Sequence, residues 1–142
     1  MRTSLTVVAM LLAAAAPALA AAAAPDATGL VGTTWALDCK QPVSSTNYYL
    51  RYSLADDGRL METLESKGKQ ERKLRNIQVM SKDWLLYTMD DNDGEAVNIV
   101  TFTDAQGRKK TWWSVGNSGK AYVVDGKFPD QNGGPPWFTQ CK

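Results

Sequence analysis

From residue 30 onward the chain alternates short runs of β-forming residues with turn-forming clusters at nearly regular spacing. The clearest run is 48–54. Tyr48, Leu50, Tyr52 and Leu54 fall on one face and Tyr49, Arg51 and Ser53 on the other, as expected for a strand buried on one side. The same reading predicts strands at 33–40, 59–65, 74–80, 84–89, 96–103, 109–115 and 120–124, with a last extended segment at 137–141. The breaks include Asp56-Asp57-Gly58, Lys67-Gly68-Lys69, Asp91-Asn92-Asp93-Gly94, Asp104-Ala105-Gln106-Gly107 and Gly116-Asn117-Ser118-Gly119, residue types that tolerate the backbone angles of tight turns. A longer loop opens at Asp125-Gly126 and runs through Pro135-Pro136. No stretch carries a sustained helical period. Eight strands joined by short turns predict an all-β fold, an antiparallel up-and-down eight-stranded barrel whose closure removes the exposed edges of a sheet.

The N-terminus follows a different pattern. Arg2 precedes an apolar run at 7–16, and Ala18-Leu19-Ala20 forms a small-residue cleavage site. That order predicts a signal peptide at 1–20, since the run is too short to span a bilayer. An Ala-rich leader at 21–28 and a barrel domain at 29–142 follow. The expected location is periplasmic or secreted, with no membrane span. In such a compartment the only two cysteines, Cys39 and Cys141, read as a disulfide. Counting hairpin reversals sends the 137–141 segment back toward the end where the first strand finishes. The bond then ties that segment to strand one.

Charge and composition narrow the chemistry. The first twenty residues hold one base and no acid, and the remainder has as many acidic as basic side chains. A near-neutral domain lacks the basic face of a nucleic-acid binder. The chain contains no histidine. Its absence removes Ser-His-Asp and Cys-His catalysis and the commonest zinc and copper ligand. Carboxylates, Lys, Tyr and Ser remain as the only reactive groups. No paired-carboxylate motif or phosphate loop is present, and Asp90, Asp91, Asp93 and Glu95 do not follow the EF-hand spacing. No catalytic residue, metal or cofactor is expected. The Arg108-Lys109-Lys110 run reads as a solvated strand start.

Gly32-Thr33-Thr34-Trp35, at the start of the first strand, resembles the Gly-x-Trp opening of the calycin barrels, with a spacing one residue longer. That superfamily includes lipocalins, fatty-acid-binding proteins, avidins and bacterial metalloprotease inhibitors. The resemblance implies that Trp35 plugs one end of a barrel; on its own pattern Trp35 is equally a core residue.

Candidate contact residues are Trp35, Glu62, Trp112, Trp113 and Trp137. Glu62 faces inward if Leu60 and Leu64 do, whereas the opposite register turns Met61 and Thr63 inward. Trp112 and Trp113 should point to opposite faces of their strand. Trp137 follows two prolines and reads as a lid or a contact residue. The leading expectation is an exported, non-catalytic protein that holds a small, mostly apolar ligand in or at the mouth of the barrel. The alternative is an inhibitor of a secreted or periplasmic enzyme that uses the 21–28 arm. A carboxylate enzyme and a structural envelope component complete the set.

Overall fold

The computed structural model describes residues 28–142. The expected signal peptide, and all of the leader except Thr28, lie outside them. The described residues form ten β-strands and no helix. In chain order these are β1 (Thr34–Ala36), β2 (Tyr49–Leu54), β3 (Leu60–Glu65), β4 (Lys69–Lys73), β5 (Arg75–Val79), β6 (Trp84–Asp90), β7 (Ala96–Thr103), β8 (Arg108–Gly116), β9 (Ala121–Val123) and β10 (Phe138–Cys141).

All the strand pairings are antiparallel, in the order β4-β3-β2-β1-β10-β8-β7-β6-β5, with β9 beside β8. The all-β, antiparallel expectation therefore holds, but the count is ten rather than eight. One additional strand, β4, has the sequence Lys-Gln-Glu-Arg-Lys, which carries no apolar alternation to mark it. Its register on β3 sets Glu62 against Arg72 and Glu65 against Lys69, so complementary charges support the pairing.

The other addition, β10, changes the order of the sheet. A simple meander would place the 120–124 strand beside strand one. Instead β10 lies between β1 and β8. Strand β8 is nine residues long, long enough for one edge to serve two partners. Arg108 and Lys109 pair with β10, while Ser114 and Val115 pair with β9. The connecting loop is pinned along β8, where Gly126 N–H donates to the Trp112 carbonyl at 2.7 Å. Gly126 has φ 71°, and a Cβ there would meet Lys110 and Trp112 side-chain atoms at 3.0–3.2 Å, so both backbone angle and space favour glycine.

The hydrogen-bonded ladder does not close on itself. β4 pairs with β3 and β5 with β6, and these two end strands are consecutive in the chain. Between them Leu74, 1% exposed, donates its N–H to the Leu60 carbonyl at 2.8 Å. A register shift follows at Asn76, whose φ is 52°, and asparagine tolerates this left-handed conformation. The shift leaves Ile77 packed against the core and Asn76 and Gln78 exposed.

The core includes Leu30, Trp35, Tyr52, Leu60, Leu74, Tyr87, Val97 and Ile99. Trp84, Phe102, Trp112 and Trp137 form an aromatic cluster, with ring centroids 4.6–6.3 Å apart.

Cys39 and Cys141 are bonded, with Cα atoms 5.5 Å apart and a sequence separation of 102. The route differs from the reversal count. β10 runs antiparallel to β1, and Cys141 lies opposite Thr34, at the start of that strand. The strand stops at Ala36 and the chain then folds back. Asn47 organises this fold. Its Oδ1 accepts the Asp38 N–H at 2.9 Å, and its Nδ2 donates to the carbonyls of Asp38, Gln41 and Pro42 at 3.0–3.1 Å.

Two outcomes follow from this arrangement. Cys39→Ala/Cys141→Ala should lower the unfolding free energy by about 2–4 kcal/mol, with hydrogen exchange rising first in β10 and β1. Asn47→Ala should cost about 1–3 kcal/mol, because it leaves backbone groups of the turn unpaired. Chemical denaturation with the disulfide intact measures the second effect.

Candidate functional site

The β2–β3 hairpin sets the first part of the site. Its turn pairs Leu54 with Leu60 and therefore Tyr52 with Glu62. Both side chains face inward, at 2% and 4% exposed. The Tyr52 hydroxyl donates to Glu62 Oε2 at 2.7 Å. The β3–β4 register brings Arg72 opposite Glu62, with Arg72 NH1 3.7 Å from Glu62 Oε1. From β8, Lys109 reaches in and donates to the Tyr52 hydroxyl at 2.6 Å. Its Nζ lies 4.0 Å from the Tyr52 ring centroid and 4.6 Å from that of Trp35. The result is a buried chain of amine, phenol and carboxylate that ends on the half-buried Arg72 guanidinium.

This chain borders a cavity of about 250 Å³. Leu50, Leu64, Met89, Ile99 and Phe138 supply apolar wall, and Pro135 and Pro136 line it from the β9–β10 loop. Tyr52, Glu62, Arg72, Tyr87 and Lys109 are among its polar residues, and Lys110 also borders it. A second cavity, also about 250 Å³, includes Leu30, Trp35, Asp83, Leu85 and Lys109 in its lining. Lys109 thus stands between two cavities. Arg72 likewise lines both the first cavity and a charged recess with Arg59, Lys73, Arg75 and Asp90.

Burial governs the titration of this interior. It pulls the Lys109 ammonium down from the ordinary 10.5 to about 7, partly countered by the Glu62 charge. Burial, and then the charge of Glu62, push the Tyr52 and Tyr87 phenols well above their ordinary value. Charge counting gives the same picture. One carboxylate faces one permanently charged guanidinium and one amine, so the interior is neutral when the amine is neutral.

The five contact candidates separate. Glu62 lines the first cavity and Trp35 the second. Trp112, Trp113 and Trp137 line neither. A register shift in the β7–β8 ladder pairs Thr111 and Trp113 but skips Trp112. Trp112 joins the aromatic cluster, and Trp113 is 37% exposed. Lys110 Nζ lies 5.1 Å and the Arg108 guanidinium 5.0 Å from the Trp137 ring centroid.

Sequence reasoning missed Lys109, expected in a solvated strand start but 4% exposed. It also did not single out Tyr52, Arg72 or Tyr87. Pairing outward from the Asp56-Asp57-Gly58 turn would have found Tyr52 opposite Glu62. No local signal marks Lys109, because Lys110 offers the same chemistry one position later; Lys110 also borders the first cavity, but its Nζ is bonded to the Gly126 carbonyl at 3.0 Å.

The carboxylates of the acidic turn serve local structure. Asp90 pairs with Arg75 at 2.7 Å, and Asp91 Oδ1 accepts the N–H groups of Asp93 and Glu95. Hydrogen bonds from Ser118 and Tyr122 lower the Glu95 carboxyl to about 2. Among the described residues, no group of three or more His, Cys, Asp or Glu is placed to hold a metal ion.

Between pH 7 and 10.5 the unfolded chain holds a proton at Lys109 that the folded chain has released. Stability should therefore rise with pH above 7, by on the order of 1 kcal/mol per pH unit, until the tyrosines of the unfolded chain begin to ionise. Urea midpoints across that range check it. Lys109→Met should flatten the slope, and an equal slope in the variant would assign it to another group.

No protein-family model, curated protein or solved structure matches the chain.

Proposed function

We propose that this is an exported binding protein that holds a small, mostly apolar ligand inside its curled sheet. The cavity of about 250 Å³ carries the reading, because apolar side chains form much of its wall and the polar groups converge from β2, β3, β4, β6 and β8. An apolar ligand body would lie along Leu50, Leu64, Met89, Ile99 and Phe138. A single polar group would meet Tyr52, Arg72 or Lys109. A disulfide between Cys39 and Cys141 suits the oxidising setting of a periplasmic or secreted protein.

The same proposal takes the sheet as a barrel of calycin type. Two features support it. The ends of the ladder are joined through the single residue Leu74, and Trp35 is buried near the start of the domain, with its indole N–H donating to Thr33 Oγ1 at 2.9 Å.

Displacement of a fluorescent anilinonaphthalene probe by short-chain alcohols, terpenes and aryl alcohols tests the function. At least one class should compete saturably. Leu64→Trp, which fills the cavity, should weaken that binding by about tenfold or more, equivalent to about 1.4 kcal/mol. Trp113→Ala, outside the cavity, should leave it unchanged. Equal losses in both variants would move the binding surface away from the interior.

A further inference from the structure

Lys109 is a buried amine in the interior of the sheet. The residue is 4% exposed and lines two cavities, and its amine sits at the head of a hydrogen-bonded chain through Tyr52 to Glu62. Resting on the cavity-binding reading above, we infer that Lys109 is a covalent capture site for small apolar aldehydes, which it holds as a reversible imine.

The groups around the amine fit that chemistry. Trp35 from β1, Thr101 from β7 and Phe138 from β10 approach it without ionisable groups. Tyr52, Glu62, Arg72 and Tyr87 approach from β2, β3, β4 and β6, and Lys82 and Asp83 border the second cavity. On β8 itself, Arg108 is paired with Asp104 at 2.7 Å, and Lys110, the other amine bordering the first cavity, has its Nζ bonded to the Gly126 carbonyl. Glu62 thus has a permanent partner in Arg72, and Lys109 is the surplus cation. It is the group that releases a proton to restore neutrality, and its value of about 7 agrees. A neutral amine is the nucleophile that carbonyl addition requires.

The reaction balances without an added reagent. The Lys109 nitrogen lone pair forms a bond to the aldehyde carbon, and the carbonyl π pair moves onto oxygen. The nitrogen gives up a proton through Tyr52 to Glu62, and the relay returns that proton to the oxygen, leaving a carbinolamine. The second N–H proton leaves by the same relay, which delivers it to the hydroxyl as that group departs as water. The nitrogen lone pair closes the C=N bond. The sum is amine plus aldehyde giving imine plus water, with no change of oxidation state. The distances of 2.6 and 2.7 Å along Lys109–Tyr52–Glu62 suit proton transfer.

The test uses the full disulfide-bonded chain, cinnamaldehyde and cyanoborohydride at neutral pH, with adducts located by peptide mass spectrometry. One adduct should dominate, at Lys109, forming about tenfold or more faster than on exposed lysines. Lys109→Met should retain only the slow surface labelling. Tyr52→Phe should still be labelled at Lys109, but about tenfold or more slowly. If the methionine variant fails to fold, the wild-type map and the Tyr52→Phe rate decide. Cinnamyl alcohol, which forms no imine, separates the two readings by displacing the anilinonaphthalene probe. If the alcohol binds while the aldehyde leaves Lys109 unmodified, the imine is overturned and the binding cavity stands. If neither occupies the cavity, both fall. Adducts spread evenly over surface lysines would also overturn the inference.

Discussion

A four-residue strand holds the two halves of this sheet together. β10 pairs with β1 on one side and with the start of β8 on the other. Without it β1 would lose one of its two partners, and the half built from β2, β3 and β4 would have no ladder to the half built from β5 to β8. So short a strand makes few hydrogen bonds of its own. The Cys39–Cys141 bond compensates by anchoring its last residue to the segment after β1. The cavity depends on the same strand. Phe138 lies opposite Lys109 in the β10–β8 register, and Trp35 comes from the strand on the other side. One covalent bond therefore stabilises both the sheet and the wall that carries the interior amine.

The interior departs from an ordinary apolar core in one place. Aligning Tyr52, Glu62, Arg72 and Lys109 inside the sheet removes an amine and a carboxylate from water and half-buries a guanidinium. Buried ion networks give little net stability compared with well-packed apolar residues, and they are costly when a partner is missing. No buried side-chain nitrogen or oxygen among the described residues lacks a hydrogen-bond partner, so the arrangement is satisfied. Lys109 nevertheless keeps its depressed proton affinity, because a phenol and two aromatic faces do not replace a hydration shell.

Much of the fold was legible in the sequence, for reasons that differ by element. The alternation of 48–54 and the Asp-Gly turns marked β2, β3, β6, β7 and β8, because each buries one face against the core. β4 carried no such mark, since its pairing rests on charge and its side chains are largely exposed. The position of β10 was hidden for another reason. Reversal counting presumes that every connection turns the chain, whereas the loop after β9 returns it in the same direction. Compartment and cysteine count identified the disulfide correctly, although the path that closes it depends on Asn47 and a fold-back after Ala36. At the site, Glu62 was legible because it alternates with Leu60 and Leu64. Lys109 was not, because three consecutive basic residues resemble a solvated edge and only the β8 register separates the buried one from its neighbours.

The position of the amine also bears on what the interior is for. A lysine retained only to satisfy Glu62 would gain most from direct contact with the carboxylate. Here Tyr52 stands between them, and Arg72 already lies across from Glu62. Lys109 is thus surplus to the ion pair and stands where two cavities meet. Methionine in its place would relieve the desolvation cost and still pack between Trp35 and Tyr52. A surplus amine held at that cost, bordering two cavities and hydrogen-bonded through Tyr52 to Glu62, is the observation on which the proposed capture of a ligand rests.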